Sequence, residues 1–150
     1  MSLFNSKLRY ALCAAVDLAM QPAACACQSR EIAARQHIPG PYLDQILASL
    51  KGASLVRSVR GAGGGYNLAR SPERITVGDV VRAVLRSERL FSGAPDAALS
   101  VESPGATWVV RDFEERAETL LTQYLDGTTL ADLVQRKSCV DDSLSMMPGI

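Results

Sequence analysis

Two adjacent polar residues, Asp44 and Gln45, carry the functional groups that read the edges of DNA bases. A glutamine amide can form two hydrogen bonds with adenine, and an aspartate carboxylate can accept one from N4 of cytosine. One such bidentate pair discriminates between bases by about 1–3 kcal/mol. Pro41 and Tyr42 come just before them and would meet the DNA backbone or a base edge. This stretch is therefore a candidate base-reading element.

A second candidate contact is Arg60, which precedes glycines at positions 61, 63, 64 and 65. Glycine adopts positive φ without strain, so this run predicts a tight turn. An arginine at the shoulder of such a turn can reach into a narrow minor groove, where the negative potential is strongest. Gly61 and Gly64 are candidate DNA contacts beside it. Weaker candidates for phosphate contacts, each of which could equally be a solvated surface residue, are Lys7, Ser29, Ser49 and Arg57.

A helix and a hairpin are needed to position these side chains. Apolar residues in 41–51 recur at the spacing of one buried helical face, which leaves a polar face outward: Tyr42, Asp44, Gln45 and Ser49. Leu55–Arg60 and Tyr66–Ala69 predict two strands around the glycine turn. A short helix at Arg30–Gln36, capped by Ser29, precedes the 41–51 helix. The elements predict a mainly α fold with a small β-hairpin, a winged helix-turn-helix.

Several stretches resemble a known family in order along the chain. They are SKLRYA at 6–11, YLDQIL at 42–47, LVRSVRGAGGGY at 55–66, Trp108, and TLADL at 129–133. Together they resemble the Rrf-two family of bacterial transcription regulators over about residues 3–136. The resemblance implies a DNA-binding regulator, such as a repressor, in which Pro41, Asp44, Gln45 and Arg60 contact DNA.

The chain departs from that family in its sensing loop. Members that bind an iron–sulfur cluster carry three cysteines in the loop matching 86–104, and usually a histidine just before the residue matching Trp108. Here the loop has no cysteine, and Gly105 stands in place of the histidine. Because two-iron clusters need four good ligands, mostly thiolates, we expect no cofactor. The signal remains open between redox state, iron and a metabolite. The alternatives are a cluster-free regulator that docks a metabolic enzyme, and an iron–sulfur sensor with non-standard ligands.

The four cysteines follow no zinc-binding pattern. Cys25 and Cys27 lie in a predicted loop at 21–28, where we expect them to be exposed and open to oxidation, whereas Cys13 is expected to be a small buried residue. These three are the candidate redox residues. The single histidine, His37, has no second ligand nearby and is expected to be structural, and we predict no metal site.

The sequence contains no clear catalytic motif. The glycine run lacks the Gly-Lys-Ser/Thr ending of a phosphate loop and precedes a strand, and no Gly-x-Ser-x-Gly elbow is present. We therefore expect a protein that is not an enzyme.

The charges are unevenly distributed although they sum to zero. Residues 1–75 hold 9 Lys and Arg against 4 Asp and Glu, a net charge of +5, and residues 76–150 hold 7 against 12, a net charge of −5. A basic half is typical of a DNA-facing surface. No apolar run is long enough to span a membrane, and no signal region begins the chain, so we expect a cytoplasmic protein.

The second half predicts a dimerisation helix. An apolar seam steps by four and three residues through Ala106, Val110, Phe113, Ala117, Leu120 and Tyr124. Such a long helix with a narrow seam favours a homodimer. The expected organisation is therefore a DNA-binding domain at 1–85, a sensor-type loop at 86–104, the dimerisation helix and a C-terminal helix at 105–136, and a flexible tail at 137–150.

Overall fold

The computed structural model describes residues 4–86, 105–147 and 149. Its elements are the helices α1 (Ser6–Met20), α2 (Ser29–Gln36) and α3 (Gly40–Gly52), the strands β1 (Val56–Val59) and β2 (Gly65–Leu68), a 3-10 turn (Pro72–Arg74), and the helices α4 (Val77–Leu85), α5 (Gly105–Asp126) and α6 (Leu130–Ser145). The prediction of a mainly helical chain with one small hairpin is confirmed.

The core lies where α1 packs against α2, α3, α4 and α6. Its fully buried members include Leu8 of α1, Ile32 of α2, Leu47 of α3 and Val81 of α4. These side chains come from helices on both sides of the hairpin in sequence. Residues 4–86, the end of α5 and the beginning of α6 therefore share one apolar core.

The turn between α2 and α3 is closed by His37, whose backbone is left-handed with φ of 52°. Its position in the turn agrees with the structural role predicted from the sequence. The predicted cap of α2 is wrong. Gln28, not Ser29, is the capping residue, and the Glu31 carboxylate accepts a hydrogen bond from the Gln28 backbone N–H at 2.9 Å. Glutamate at this position satisfies an otherwise unpaired backbone donor at the helix start.

The hairpin pairs β1 and β2 antiparallel, with Val56 opposite Leu68 and Arg57 opposite Asn67. Successive side chains of a strand point to opposite faces. Val56 and Leu68 pack on the core, so Arg57 and Asn67 lie on the other face. The loop before α2 joins the free edge of β2, because Cys27 and Tyr66 exchange two backbone hydrogen bonds of 2.8 and 2.7 Å.

Two matching capping boxes start α4 and α6 side by side. Thr76 and Asp79 form the first box, and Thr129 and Asp132 form the second. The chain segments before the two helices pair as an antiparallel bridge between Thr76 and Thr129. This bridge attaches α6 to the core at its N-terminal end.

α6 is longer than expected. It continues to Ser145, although a flexible tail was predicted after Lys137. A Lys137–Asp141 ion pair at i and i+4 lies in this extension and supports a helix there. The predicted sensor-type loop falls almost wholly outside the described residues. Arg86, which ends α4 with a φ of 53°, is the one residue of the predicted loop that the structure describes.

Candidate nucleic-acid interface

α3 has one sealed face and one open face. Its apolar residues Leu43, Ile46, Leu47 and Leu50 are 0% exposed. The residues predicted to read DNA, Pro41, Tyr42, Asp44 and Gln45, are all exposed. A helix held this firmly by its apolar face presents its polar side chains at fixed spacing. It therefore has the form of a recognition helix, the element that enters the major groove in a helix-turn-helix protein.

Ser49 is the exception on α3, and its predicted outward position is wrong. The residue is only 9% exposed, and its hydroxyl donates to the Gln45 carbonyl oxygen at 3.1 Å. Serine within a helix often satisfies its hydroxyl on the carbonyl one turn earlier. Ser49 is thus turned away from solvent.

Tyr42 is held by an aromatic neighbour. The rings of Tyr10 on α1 and Tyr42 lie edge to face, with centroids 5.8 Å apart and planes at 83°. This arrangement places the positive edge of one ring against the negative face of the other. The contact restricts the orientation of the Tyr42 ring at the start of α3.

The wing, defined as β1, β2 and the turn 60–64, carries Arg60 and Gly61 exposed at its end. Gly61 has a φ of +111°, a conformation that favours glycine. Gly65 has a φ of +151°, and a Cβ there would come within 2.3 Å of the Cys27 carbonyl oxygen. Glycine is thus required at position 65 because the loop before α2 approaches closely. The sequence of the turn does not by itself indicate this reason.

Two side-chain hydrogen bonds connect the wing to α3 and to the loop before α2. Lys51 Nζ at the end of α3 donates to Ser58 Oγ on β1 at 2.9 Å. Asn67 Nδ2 donates to the Ala23 carbonyl oxygen in the loop before α2 at 3.3 Å, and its Oδ1 accepts from Arg57 Nε at 2.8 Å. The wing is therefore held on both sides.

An ion pair between the exposed Arg35 and the buried Asp17 fixes α2 against α1. The Arg35 guanidinium donates two hydrogen bonds to the Asp17 carboxylate, at 3.0 and 2.7 Å, and Gln36 Nε2 adds a third at 2.8 Å. Asp17 is 3% exposed. The hydrogen bond to Asp17 raises the pKa of Arg35 above its ordinary value. Removing Arg35 would leave the buried Asp17 carboxylate without its charge partner, so this pair holds α2 in register with α1.

The remaining phosphate-contact candidates lie on the first two helices. Lys7 is half-buried on α1, and Ser29, also half-buried, is the first residue of α2. Their roles as phosphate contacts stay predictions.

α5 exposes nearly all of its apolar residues. Of its 22 residues only Leu125, near the C-terminal end, is buried. In the predicted seam Val110 is 54%, Phe113 70%, Leu120 68% and Tyr124 60% exposed, Ala106 is exposed and Ala117 half-buried. Trp108 and Val109 extend the apolar surface, at 67% and 59% exposed. Burying large apolar side chains is favourable, so a helix of this kind is typical of an interface.

Comparison with known proteins shows what kind of protein presents these surfaces. The model of the Rrf2 family, described as an iron-dependent transcriptional regulator, matches residues 4–136. The chain belongs to the Rrf2 family. It is 34% identical to the HTH-type transcriptional regulator IscR of Cereibacter sphaeroides, over 89% of this chain and 87% of that protein. The described geometry is thus that of a DNA-binding transcriptional regulator, as the resemblance implied.

Solved structures of Rrf2 proteins share its architecture. IscR of T. potens superposes with a TM-score of 0.70 at 33% identity, covering 97% of this chain and 92% of that one. CymR, the global cysteine regulator of B. subtilis, gives a TM-score of 0.74 at 31% identity, covering 91% and 98%. The winged helix-turn-helix prediction is confirmed by this likeness. No helix in the described part of the chain has the length and apolarity to cross a membrane.

The side chains of this Rrf2 regulator do not form an iron site in the described residues. No group of three or more histidine, cysteine, aspartate or glutamate side chains is placed there to hold a metal ion. The cysteines are dispersed: Cys25 and Cys139 are exposed, Cys13 is half-buried, and Cys27 is buried. The expectation that Cys27 is exposed is wrong, because its backbone pairs with Tyr66 and its side chain joins the core. An oxidant in solution reaches Cys25 directly but not Cys27.

Sequence reasoning missed the residues that support the site. Tyr10, Lys51, Ser58 and Asn67 each contact a wing or recognition-helix residue. Asn67 is 44 residues away from its partner Ala23. Contacts at such separations leave no periodic signal in a single sequence, so only the packed chain reveals them.

Proposed function

We propose that this Rrf2 regulator binds a near-palindromic operator as a homodimer, with α3 in the major groove and the wing at the adjacent minor groove. The observation that carries the proposal is the division of α3 into a fully buried apolar face and an exposed face bearing Pro41, Tyr42, Asp44 and Gln45. A stripe of base-reading groups on a rigid support is what direct readout requires.

The roles within this interface follow from side-chain chemistry. Gln45 is suited to pair with adenine and Asp44 to accept from cytosine N4. Pro41 and Tyr42 lie at the helix start, where contacts with the backbone or a base edge set the register. Arg60 on the exposed end of the wing is suited to the minor groove.

The dimer supplies the second half of the operator contact. The exposed seam of α5 is continuous over several turns, and a second copy of the same helix would bury it on both sides. A two-fold axis then relates two recognition helices. Half-sites should lie about 34–36 Å apart, or a multiple of that distance, because each helix must enter a major groove on one side of the duplex.

Selection of bound duplexes from a random-sequence library tests the proposal. We expect a motif with inverted repeats and, in the Arg60→Ala variant, an affinity lower by more than about tenfold, equivalent to about 1.4 kcal/mol. Arg136→Ala, which removes an exposed charge on α6, is the matched control and should bind as the wild type does. A motif without dyad symmetry, or equal losses for the two variants, would contradict the proposed arrangement.

A further inference from the structure

Asn67 lies at the centre of the wing and contacts both of its neighbours. It is on β2, between β1 on one side and the loop before α2 on the other. Its amide nitrogen donates to the Ala23 carbonyl oxygen in that loop, and its amide oxygen accepts from Arg57 on β1. An asparagine amide can bridge in this way because it has both a donor and an acceptor.

This asparagine is buried although it lies on the face of the hairpin turned away from the core. It is 7% exposed, and it stands directly opposite the exposed Arg57. A buried amide that lost its partners would cost about 1–3 kcal/mol. The pairing with Ala23 and Arg57 satisfies both ends of the amide and orients it.

The hydrogen bond to Asn67 uses only one part of the Arg57 guanidinium. Nε donates at 2.8 Å, and the two Nη groups have no hydrogen-bond acceptor among the described residues. Arg57 is exposed and shares the hairpin with Arg60. Because a guanidinium is planar, a hydrogen bond at Nε fixes the orientation of the plane in which its terminal nitrogens lie, ready for two parallel hydrogen bonds to a phosphate.

We propose that Asn67 is a positioning residue, which fixes the Arg57 guanidinium for a bidentate contact with an operator phosphate. The inference rests on the proposed function, and it assigns Arg57 to the DNA backbone rather than to solvent. Without Asn67, Arg57 keeps its charge but must lose rotamer freedom when it binds DNA, which weakens the contact.

The test compares Asn67→Leu, Arg57→Ala and the double variant on a duplex that wild-type protein selects from a random library. Leucine matches the size of asparagine and removes both hydrogen bonds. We expect each single variant to lose about fivefold to twentyfold in affinity, as one charge-assisted contact would predict. The logarithmic salt dependence of binding should fall in magnitude by about one in Arg57→Ala, since one neutralised phosphate contributes about 0.9. In Asn67→Leu it should stay near the wild-type value, because Arg57 keeps its charge.

The double variant decides whether Asn67 acts through Arg57. If it does, Asn67→Leu causes no further loss when Arg57 is already alanine. Combined with Arg60→Ala, the same Asn67→Leu change should add its full loss, because Arg60 has no contact with Asn67. Thermal unfolding of each variant shows whether the fold survives. If Asn67→Leu does not fold, the unchanged salt dependence of Arg57→Ala alone would overturn the proposal.

Additive losses for Arg57 and Asn67 would also overturn it, since they would make Asn67 a merely structural residue. Failure of the proposed function looks different. In that case the wild-type protein selects no duplex from the library, so there is no wild-type affinity with which the variants could be compared.

Discussion

At the scale of single residues, the exposed face of α3 depends on which side chains the apolar face leaves free. Tyr42, Asp44 and Gln45 are exposed because Leu43, Ile46 and Leu47 occupy the interior. Ser49 fits the polar pattern equally well but lies inside, with its hydroxyl on the helix backbone. Residue type alone does not predict where a helical serine lies, because its hydroxyl can bond either to solvent or to the backbone carbonyl one turn earlier.

Replacement of Gln45 tests base readout. We expect Gln45→Ala to relax the preference at one operator position by about 1–3 kcal/mol, because the bidentate pair with adenine is lost. Binding to all single-base variants of the selected duplex measures this preference. Gln135→Ala, a matched change at an exposed site on α6, should leave every position unchanged. An unaltered preference in Gln45→Ala would remove this residue from the readout.

At the scale of elements, α4 and α6 both begin with a threonine and an aspartate that satisfy each other's backbone donors. The Asp79 carboxylate accepts from the Thr76 N–H at 3.0 Å, and Thr76 Oγ1 accepts from the Asp79 N–H at 3.0 Å. Burial opposes the ionised form of Asp79 most strongly. The hydrogen bonds from Thr76 and Arg82 together outweigh it and lower the pKa of Asp79 below 3.8. Thr129 in the same way lowers the pKa of Asp132.

We expect acid to lower the stability of the fold by protonating Asp79 in the capping box of α4. Because the pKa of Asp79 is lower in the folded chain, its ionised form adds stability that is complete above the unfolded value of 3.8 and disappears as the pH falls through the folded value. Denaturant unfolding from neutral pH down to strong acid measures the effect. We expect Asp79→Asn to be less stable than the wild type at neutral pH and to approach it in acid. A constant difference at every pH would show that ionisation of Asp79 does not matter.

Glycines in the hairpin illustrate how elements constrain one another. The run 61–65 predicts a tight turn, and Gly61 adopts the positive φ of +111° within that turn. At Gly65 the reason is different, since the Cys27 carbonyl oxygen occupies the space of a Cβ. The first reason is local and can be inferred from composition, whereas the second depends on a loop nearly forty residues earlier in the chain.

At the scale of the whole molecule, the described contacts of α5 with the core lie near its C-terminal end. Leu125 is buried, and Arg82 of α4 donates to the Asp126 carboxylate at 2.8 Å. This hydrogen bond raises the pKa of Arg82. The rest of the seam, with Phe113 and Leu120 about two-thirds exposed, has no cover in the described chain. The proposed dimer would supply that cover.

Introducing charge into the seam should separate the proposed dimer. We expect Phe113→Glu combined with Leu120→Glu to give a folded monomer, because both residues are exposed and buried glutamates at an interface are costly. Sedimentation velocity measures the mass, and thermal unfolding monitors the fold. Thr119→Glu adds a charge on the same helix beside the seam and should keep the wild-type mass. A wild-type protein that is already a monomer would contradict the proposed dimer.

The sequence by itself determined the winged helix-turn-helix and the position of the long helix, since helix periodicity and turn glycines act over a few neighbouring residues. It also placed Asp44, Gln45 and Arg60 on the correct elements. Only the tertiary structure decided that Cys27 and Ser49 are buried and that Asn67 joins Arg57 to Ala23. The reason is physical: these features depend on packing and hydrogen bonds between segments far apart in the chain, for which local patterns carry no information.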